Sequence, residues 1–181
     1  MRGYIIRNAS QTDIPAVRAM QERSMWVLGG DFYHASEIAG FLTEFGTMDD
    51  AIVDEGHFFV AESDRGALIG SGGWTRSRPS YANGLGDEGQ YTGEPTVRSV
   101  FVDPAAVRRG IASAIMQRIE RDAGEHGIRT LHLTATLSGI ALYEHLGYQA
   151  EKAMTVCLSD KTRFACVSMA KQLPKSREQA A

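Results

Sequence analysis

The chain has 181 residues, 43% hydrophobic and 23% charged, with 19 glycines and 5 prolines. That is the composition of a folded globular chain of about one domain, and it excludes disordered, fibrous and collagen-like proteins. A formal net charge of -3 gives no overall basic field, so neither nucleic acid nor a membrane is expected as a partner, and no apolar run approaches the roughly 20 residues of a membrane span.

The first nine residues carry Arg2 and Arg7 around an apolar patch too short for a signal-peptide core, and a cytoplasmic location is expected. Residues 4–9 read as a strand. Thr12 and Asp13 then open a helix with Pro15 in its first turn, where the missing N–H costs little. Ile14, Val17, Met20 and Val27 supply its apolar face, and Gly29 with Gly30 ends it. A shorter helix is predicted over 36–45. Residues 57–62 and 67–75 follow as strands joined by a turn at 63–66, and Gly72 and Gly73 beside Trp74 read as a place where a ligand approaches the backbone closely. The polar, glycine-rich stretch 76–94, which includes Tyr91, reads as a long loop able to close over a substrate.

A strand is predicted over 96–102, ending at Asp103 and Pro104. The next helix carries Ile111, Ile115 and Ile119 at four-residue spacing, with Arg118, Glu120, Arg121 and Asp122 facing elsewhere, and stops at His126 and Gly127. After a strand over 130–135, Ser138 is expected to cap a short helix reaching Leu146. Residues 148–158 and 163–173 form a last strand pair, whose turn at Lys161 and Thr162 would set Cys157 opposite Cys166. Cytosolic thiols are normally kept reduced, so two structural thiols are favoured over a bridge. A meander combined with helical crossovers predicts an α/β (α+β) mixed-sheet fold, a single domain over 1–173 with a frayed tail over 174–181.

The segment Val107-Arg108-Arg109-Gly110-Ile111-Ala112 leads from a strand into an apolar-striped helix. First-turn N–H groups there lack intrahelical acceptors and converge with the positive end of the helix dipole, which suits a pyrophosphate; a merely solvated turn is the competing reading. No Gly-x-Gly-x-x-Gly follows the first strand and no Gly-Lys-Ser/Thr loop is present, so common nucleotide-binding signatures are missing.

Two motifs, Val100-Phe-Val-Asp-Pro-Ala-Ala-Val-Arg-Arg-Gly-Ile-Ala-Ser-Ala114 and Ala141-Leu-Tyr-Glu-His-Leu-Gly-Tyr148, resemble in order and spacing those of the GNAT superfamily of acyl-CoA-dependent N-acetyltransferases. The resemblance implies a GNAT-like central, mostly antiparallel twisted sheet with a splayed parallel strand pair, flanked by helices. It implies acetyl-CoA as co-substrate, no metal, and a small-molecule or peptide amine as acceptor. Phe101 and Val102 would pair with the pantetheine arm, and Val107, Arg108, Arg109, Gly110, Ile111, Ala112 and Ser113 would surround the pyrophosphate. Val107 stands where the family pattern has Arg or Gln. Tyr143 would be the general acid near the sulfur; a core-edge tyrosine is the alternative. Ser138 would contact the cofactor or simply cap a helix.

The base is not marked, because strand 96–102 carries no carboxylate; His132 is a catalytic candidate with an ordinary pKa in the working range, or a structural histidine. Glu22, Asp31 and His34 lie near the early helices that wall the acceptor cleft in the family. Trp26, Tyr33 and Trp74 are candidates for the acceptor pocket, against ordinary aromatic packing. A CoA-binding sensor with little catalysis is the second functional reading, and an exposed sheet edge would allow a homodimer.

Overall fold

The computed structural model describes residues 3–89 and 93–174; Tyr91 and the expected tail beyond 174 lie outside the described residues. Seven strands form one sheet in the order β1-β2-β3-β4-β5-β7-β6: β1 Tyr4–Asn8, β2 Phe58–Ser63, β3 Leu68–Thr75, β4 Thr96–Val102, β5 Thr130–Thr136, β6 Gln149–Cys157 and β7 Arg163–Gln172. Four helices accompany it, α1 Ile14–Gly29, α2 Ala35–Phe45, α3 Ile111–Glu125 and α4 Ile140–His145. All neighbouring strands run antiparallel except β4 and β5, which run parallel and pair in register only at Thr96 and His132. The mixed sheet with a splayed parallel pair is therefore present.

The helices cover both faces. Side chains alternate along a strand, and in β3 Ser71 meets α1 through Gln21 whereas Gly70 and Gly72 face α3. A Cβ at Gly70 would lie 2.7 Å from Ile111 Cγ2, and one at Gly72 would lie 2.9 Å from Ile115 Cγ2. Gly73 is pressed against the His57 carbonyl in the same way, at 2.5 Å. The β3 glycines thus admit a helix and a neighbouring strand, not the ligand expected from their spacing. Ile111, Ile115 and Ile119 are buried there, each contributing roughly 1.5–3 kcal/mol by removal from water.

Several local expectations are corrected. Asp122 is buried instead of facing away from the apolar stripe, because its spacing from Ile115 and Ile119 returns it to that stripe. Stretch 76–94 is not all loop: 3-10 turns occupy Ser80–Gly89, with a break at Gly86. Ser138 lies in the 3-10 turn Leu137–Gly139, and α4 takes Gly139 as its N-cap with no side-chain cap; the Ser138 hydroxyl bonds Thr136 Oγ1 at 3.1 Å instead. In the last hairpin Cys166 faces Met154 and Cys157 faces Arg163, so the cysteines are not opposite one another, and both are free.

Where β3 meets β4, Ser71 pairs with Phe101 but Gly73 pairs with Arg98, so β4 carries an extra residue, and Ser99 takes φ +54°. A closed ring of hydrogen bonds holds this bulge. Gln21 Nε2 donates to Ser71 Oγ at 3.0 Å, which donates to the Ser99 carbonyl at 3.0 Å. Ser99 Oγ donates to the Thr47 carbonyl at 2.9 Å, and Thr47 Oγ1 donates to Gln21 Oε1 at 2.6 Å. Gln21 and Ser71 are completely buried, so each broken link would strand a polar group out of reach of water. Gln21→Leu is expected to lower unfolding free energy by about 2 kcal/mol, the cost of orphaned buried hydroxyls; a denaturant titration showing no loss would refute the ring's contribution.

Candidate functional site

Two adjoining cavities occupy the split between β4 and β5. The larger, about 940 Å³, runs from the end of α1 past the last residues of β4 to the start of α3 and to α4. The smaller, about 120 Å³, lies under α2 and the 3-10 segment. Met25, Val100, Phe101, Thr136 and Tyr143 line both, so they form the junction.

The outer end of the large cavity is the turn before α3. Asp103 Oδ1 accepts from the Ala105 N–H at 2.9 Å and its Oδ2 from Arg23 at 2.7 Å. Burial opposes the charge on Asp103, but these two partners outweigh it and hold its pKa below the ordinary carboxylate value. The braced turn then sets Arg108 at φ +62° and Gly110 at φ +74°. The first carbonyl taken into the helix is that of Gly110, by the Ala114 N–H at 3.0 Å. The N–H groups of Ile111, Ala112 and Ser113 therefore lie in the unsatisfied first turn of a 15-residue helix, on residues that line the cavity. Such converging N–H groups, with the positive end of the helix dipole behind them, can cradle an anion. Arg108 and Val107 line the cavity as well, whereas Arg109 does not; its guanidinium lies beside Gly3.

Along the wall, β4 offers main-chain groups. The Asp103 N–H donates to the Ile69 carbonyl across β3 at 3.0 Å. N–H groups alternate in direction along a strand, so that of Val102 turns to the opposite edge, where pairing with β5 has already ended. Phe101 and Val102 both line the cavity, and an extended, amide-bearing ligand could complete this edge.

Tyr143, on α4, is buried at the junction, edge-on to Tyr148 at 5.9 Å between ring centroids. Burial, with the neighbouring Tyr81 phenol acting in the same sense, pushes its pKa up from the ordinary value, so the group keeps its proton and can serve as an acid. The small cavity beyond it is lined by Phe41, Phe45, Tyr81, Phe101 and Phe164. Asp49 is the carboxylate on its lining; its Oδ2 accepts from buried Arg98 at 2.7 Å and from the Ser80 N–H at 3.3 Å. Arg98 also lies over the Tyr81 ring, 5.3 Å from its centroid. Cys166 lines the same space, with burial raising its thiol to about 11 against a weaker opposing backbone hydrogen bond, so it remains un-ionised near neutrality.

Among the other sequence candidates, Tyr33 and Ser138 line the large cavity. The Tyr33 hydroxyl donates to the Ala165 carbonyl at 2.6 Å and accepts from the Leu137 N–H at 2.8 Å. Trp26 is partly exposed and Trp74 is buried against His57, and neither lines either cavity. His132 stands at the paired start of β5, 3.6 Å from Glu94, also outside both cavities. Asp31 lines the large cavity; Glu22 and His34 line neither. Sequence reasoning missed Asp49, Tyr81 and Arg98. Only Arg98 left a signal, a charge inside an otherwise apolar strand.

The fold is shared with solved N-acetyltransferases. A GCN5-related N-acetyltransferase from Rhodopseudomonas palustris superposes with TM-score 0.70 at 19% identity, over 93% of this chain and 95% of that one. A GNAT superfamily phosphinothricin acetyltransferase from Sinorhizobium meliloti, solved with AcCoA, gives 0.64 at 20% identity over 97% and 91%. The ribosomal-protein-S18-alanine N-acetyltransferase of Escherichia coli gives 0.61 at 19% identity over 98% and 99%. No curated protein sequence matches the chain. These structural likenesses define the fold. Residues 54–150 match the acetyltransferase (GNAT) domain, and the chain belongs to that family.

The turn before α3 yields a test of its own. Nothing lies within 4 Å of a Cβ built at Gly110, so Gly110→Ala is opposed by the left-handed conformation alone, about 1–2 kcal/mol. Arg108→Gly relieves a similar strain while adding chain freedom, leaving stability within about 1 kcal/mol of the parent but weakening anion affinity. Thermal melts and pyrophosphate titrations on both variants check the opposite patterns.

Proposed function

We propose that this protein transfers the acetyl group of acetyl-CoA to a primary amine of a small molecule or peptide by direct attack, with Tyr143 as the general acid. The observation that carries the reading is the position of Tyr143 at the junction of a long cavity ending in an anion cradle and a small aromatic cavity holding a carboxylate. Bound acetyl-CoA would supply an acyl group activated as a thioester.

The chain's own groups divide the work. Main-chain N–H groups of Ile111, Ala112 and Ser113, with Arg108, hold the pyrophosphate, and the Val107 side chain leaves that contact to the backbone. The free edge of β4 at Phe101 and Val102 aligns the pantetheine arm, with Ser138 on the opposite wall. The Val102 N–H, turned into the split, is placed to polarise the thioester carbonyl. As the amine nitrogen bonds to the carbonyl carbon and the C–S bond breaks, Tyr143 delivers its proton to the departing sulfur, and the surplus proton on the acetylated nitrogen leaves to restore the phenol, directly or through solvent. Asp49 gives the small cavity an acidic group for attracting a protonated amine, which must shed one proton to solvent before attack. The phosphinothricin and ribosomal-protein-alanine enzymes that share the fold show by name that it serves small-molecule and protein acceptors alike.

Tyr143→Phe is expected to lower kcat about 10²–10⁴-fold while acetyl-CoA affinity holds, measured by free-thiol release across a panel of primary amines. Acetylation at the parental rate would remove Tyr143 from the mechanism. Binding of acetyl-CoA without turnover by the parent protein on any amine would make it a sensor. Asp49→Asn is expected to raise the acceptor KM roughly 10-fold or more, the loss of one charge-assisted contact, with the acetyl-CoA KM unchanged; an unchanged acceptor KM would remove Asp49 from recognition.

A further inference from the structure

At the far end of α3 from the anion turn, Asp122 is buried, 7% exposed, and the ion pairs it makes among the described residues are with His57 and His126. Its Oδ2 lies 2.7 Å from His57 Nδ1 and 4.0 Å from His126 Nδ1. One ligand atom from each of these three residues falls within 4.8 Å of the other two. The arrangement is built rather than incidental. Trp74 Nε1 donates to the same Oδ2 at 2.7 Å, orienting the carboxylate, and the His57 ring stacks on the indole with centroids 4.3 Å apart. The two imidazoles stand edge to face at 4.5 Å.

A buried carboxylate requires a compensating positive charge. The cluster also sits at the C-terminal end of α3, where His126 is the C-cap and its Nδ1 lies 2.8 Å from the Asp122 carbonyl. The negative end of the helix dipole favours a cation there. We propose that His57, Asp122 and His126 bind a divalent cation of the borderline class, Zn²⁺ in particular. Two imidazoles and one carboxylate suit zinc, which binds nitrogen and oxygen at about 2.0–2.2 Å. Two atoms on one such ion can be at most about 4.2 Å apart, which the Asp122–His57 distance satisfies; His126 Nδ1 donates to the Asp122 carbonyl, so this ring would give up that bond or present Nε2 when the ion binds. The proton shared by His57 and Asp122 leaves as the metal binds, and water completes the coordination. Asp122 and His126 are one helical turn apart on α3, while His57 precedes β2, so the ion would fasten the helix to the sheet. Lining neither cavity, the site is structural and takes no part in acetyl transfer.

The test uses the full chain after treatment with a chelator. Isothermal titration with Zn²⁺ is expected to show one site, and Zn²⁺ at a hundredfold excess over Kd is expected to raise Tm by roughly 5–10 °C. Mg²⁺ should give no such shift. His126→Ala, at a partly exposed helix end where folding is not at risk, should weaken Zn²⁺ binding at least about 10-fold, and Asp122→Asn should abolish it. Absence of heat and of a Tm shift in the parent protein would overturn the proposal, the carboxylate then being satisfied by its hydrogen bonds with His57 and Trp74. Binding of equal affinity in His126→Ala would also overturn it.

Discussion

The bulge at Ser99 is the constraint on which the site depends. A regular β4 would continue its parallel ladder with β5, and the sheet would close. One additional residue bends the strand, so that pairing stops after Thr96 and His132 and the main-chain edge at Val102 is left open. The positive φ at Ser99 is a strained choice for a residue with a side chain. It persists because its carbonyl and its hydroxyl are both engaged by the ring through Ser71, Thr47 and Gln21. That ring joins α1, β3, β4 and the segment after α2, so the elements enclosing the two cavities are tied to one bent peptide.

From the bulge the architecture extends in two directions. Toward α3, the chain leaves β4 through Asp103, whose carboxylate is shared by the turn and by Arg23 on α1. The helix covering one face of the sheet thus helps fix the turn before α3 on the other. Toward α2, Arg98 carries a charge into the buried space and is neutralised by Asp49, which also receives the 3-10 segment through the Ser80 N–H. Tyr143 stands where these two halves meet.

Much of the frame was legible because periodicity reports burial. The four-residue spacing of Ile111, Ile115 and Ile119 and the Asp103-Pro104 break gave α3 and β4 their limits almost to the residue. The same rule, applied without exception, would also have buried Asp122; its charge misled. Cys157 and Cys166 were set opposite one another because register depends on turn geometry, and here Lys161 at φ +70° and the Leu158–Thr162 bonds fix a different pairing. The strand-turn-helix geometry before α3 was legible because its elements are contiguous. The small cavity was not, since Phe41, Asp49, Tyr81, Arg98 and Phe164 come from separate segments and share no spacing. Aromatic content alone could not separate Tyr33, which lines a cavity, from Trp26 and Trp74, which do not.

The cradle before α3 is made of peptide N–H groups, which every residue except proline carries. Its information is stored in backbone shape rather than in side-chain identity. Neutral drift can therefore pass through Val107, Ala112 and Ser113 with little penalty to the cradle, while Gly110, held at φ +74°, is the position in the turn where a single methyl group would be felt. Sequences that share this fold at 19–20% identity are what such a store of information permits: the lettering diverges and the shape is inherited.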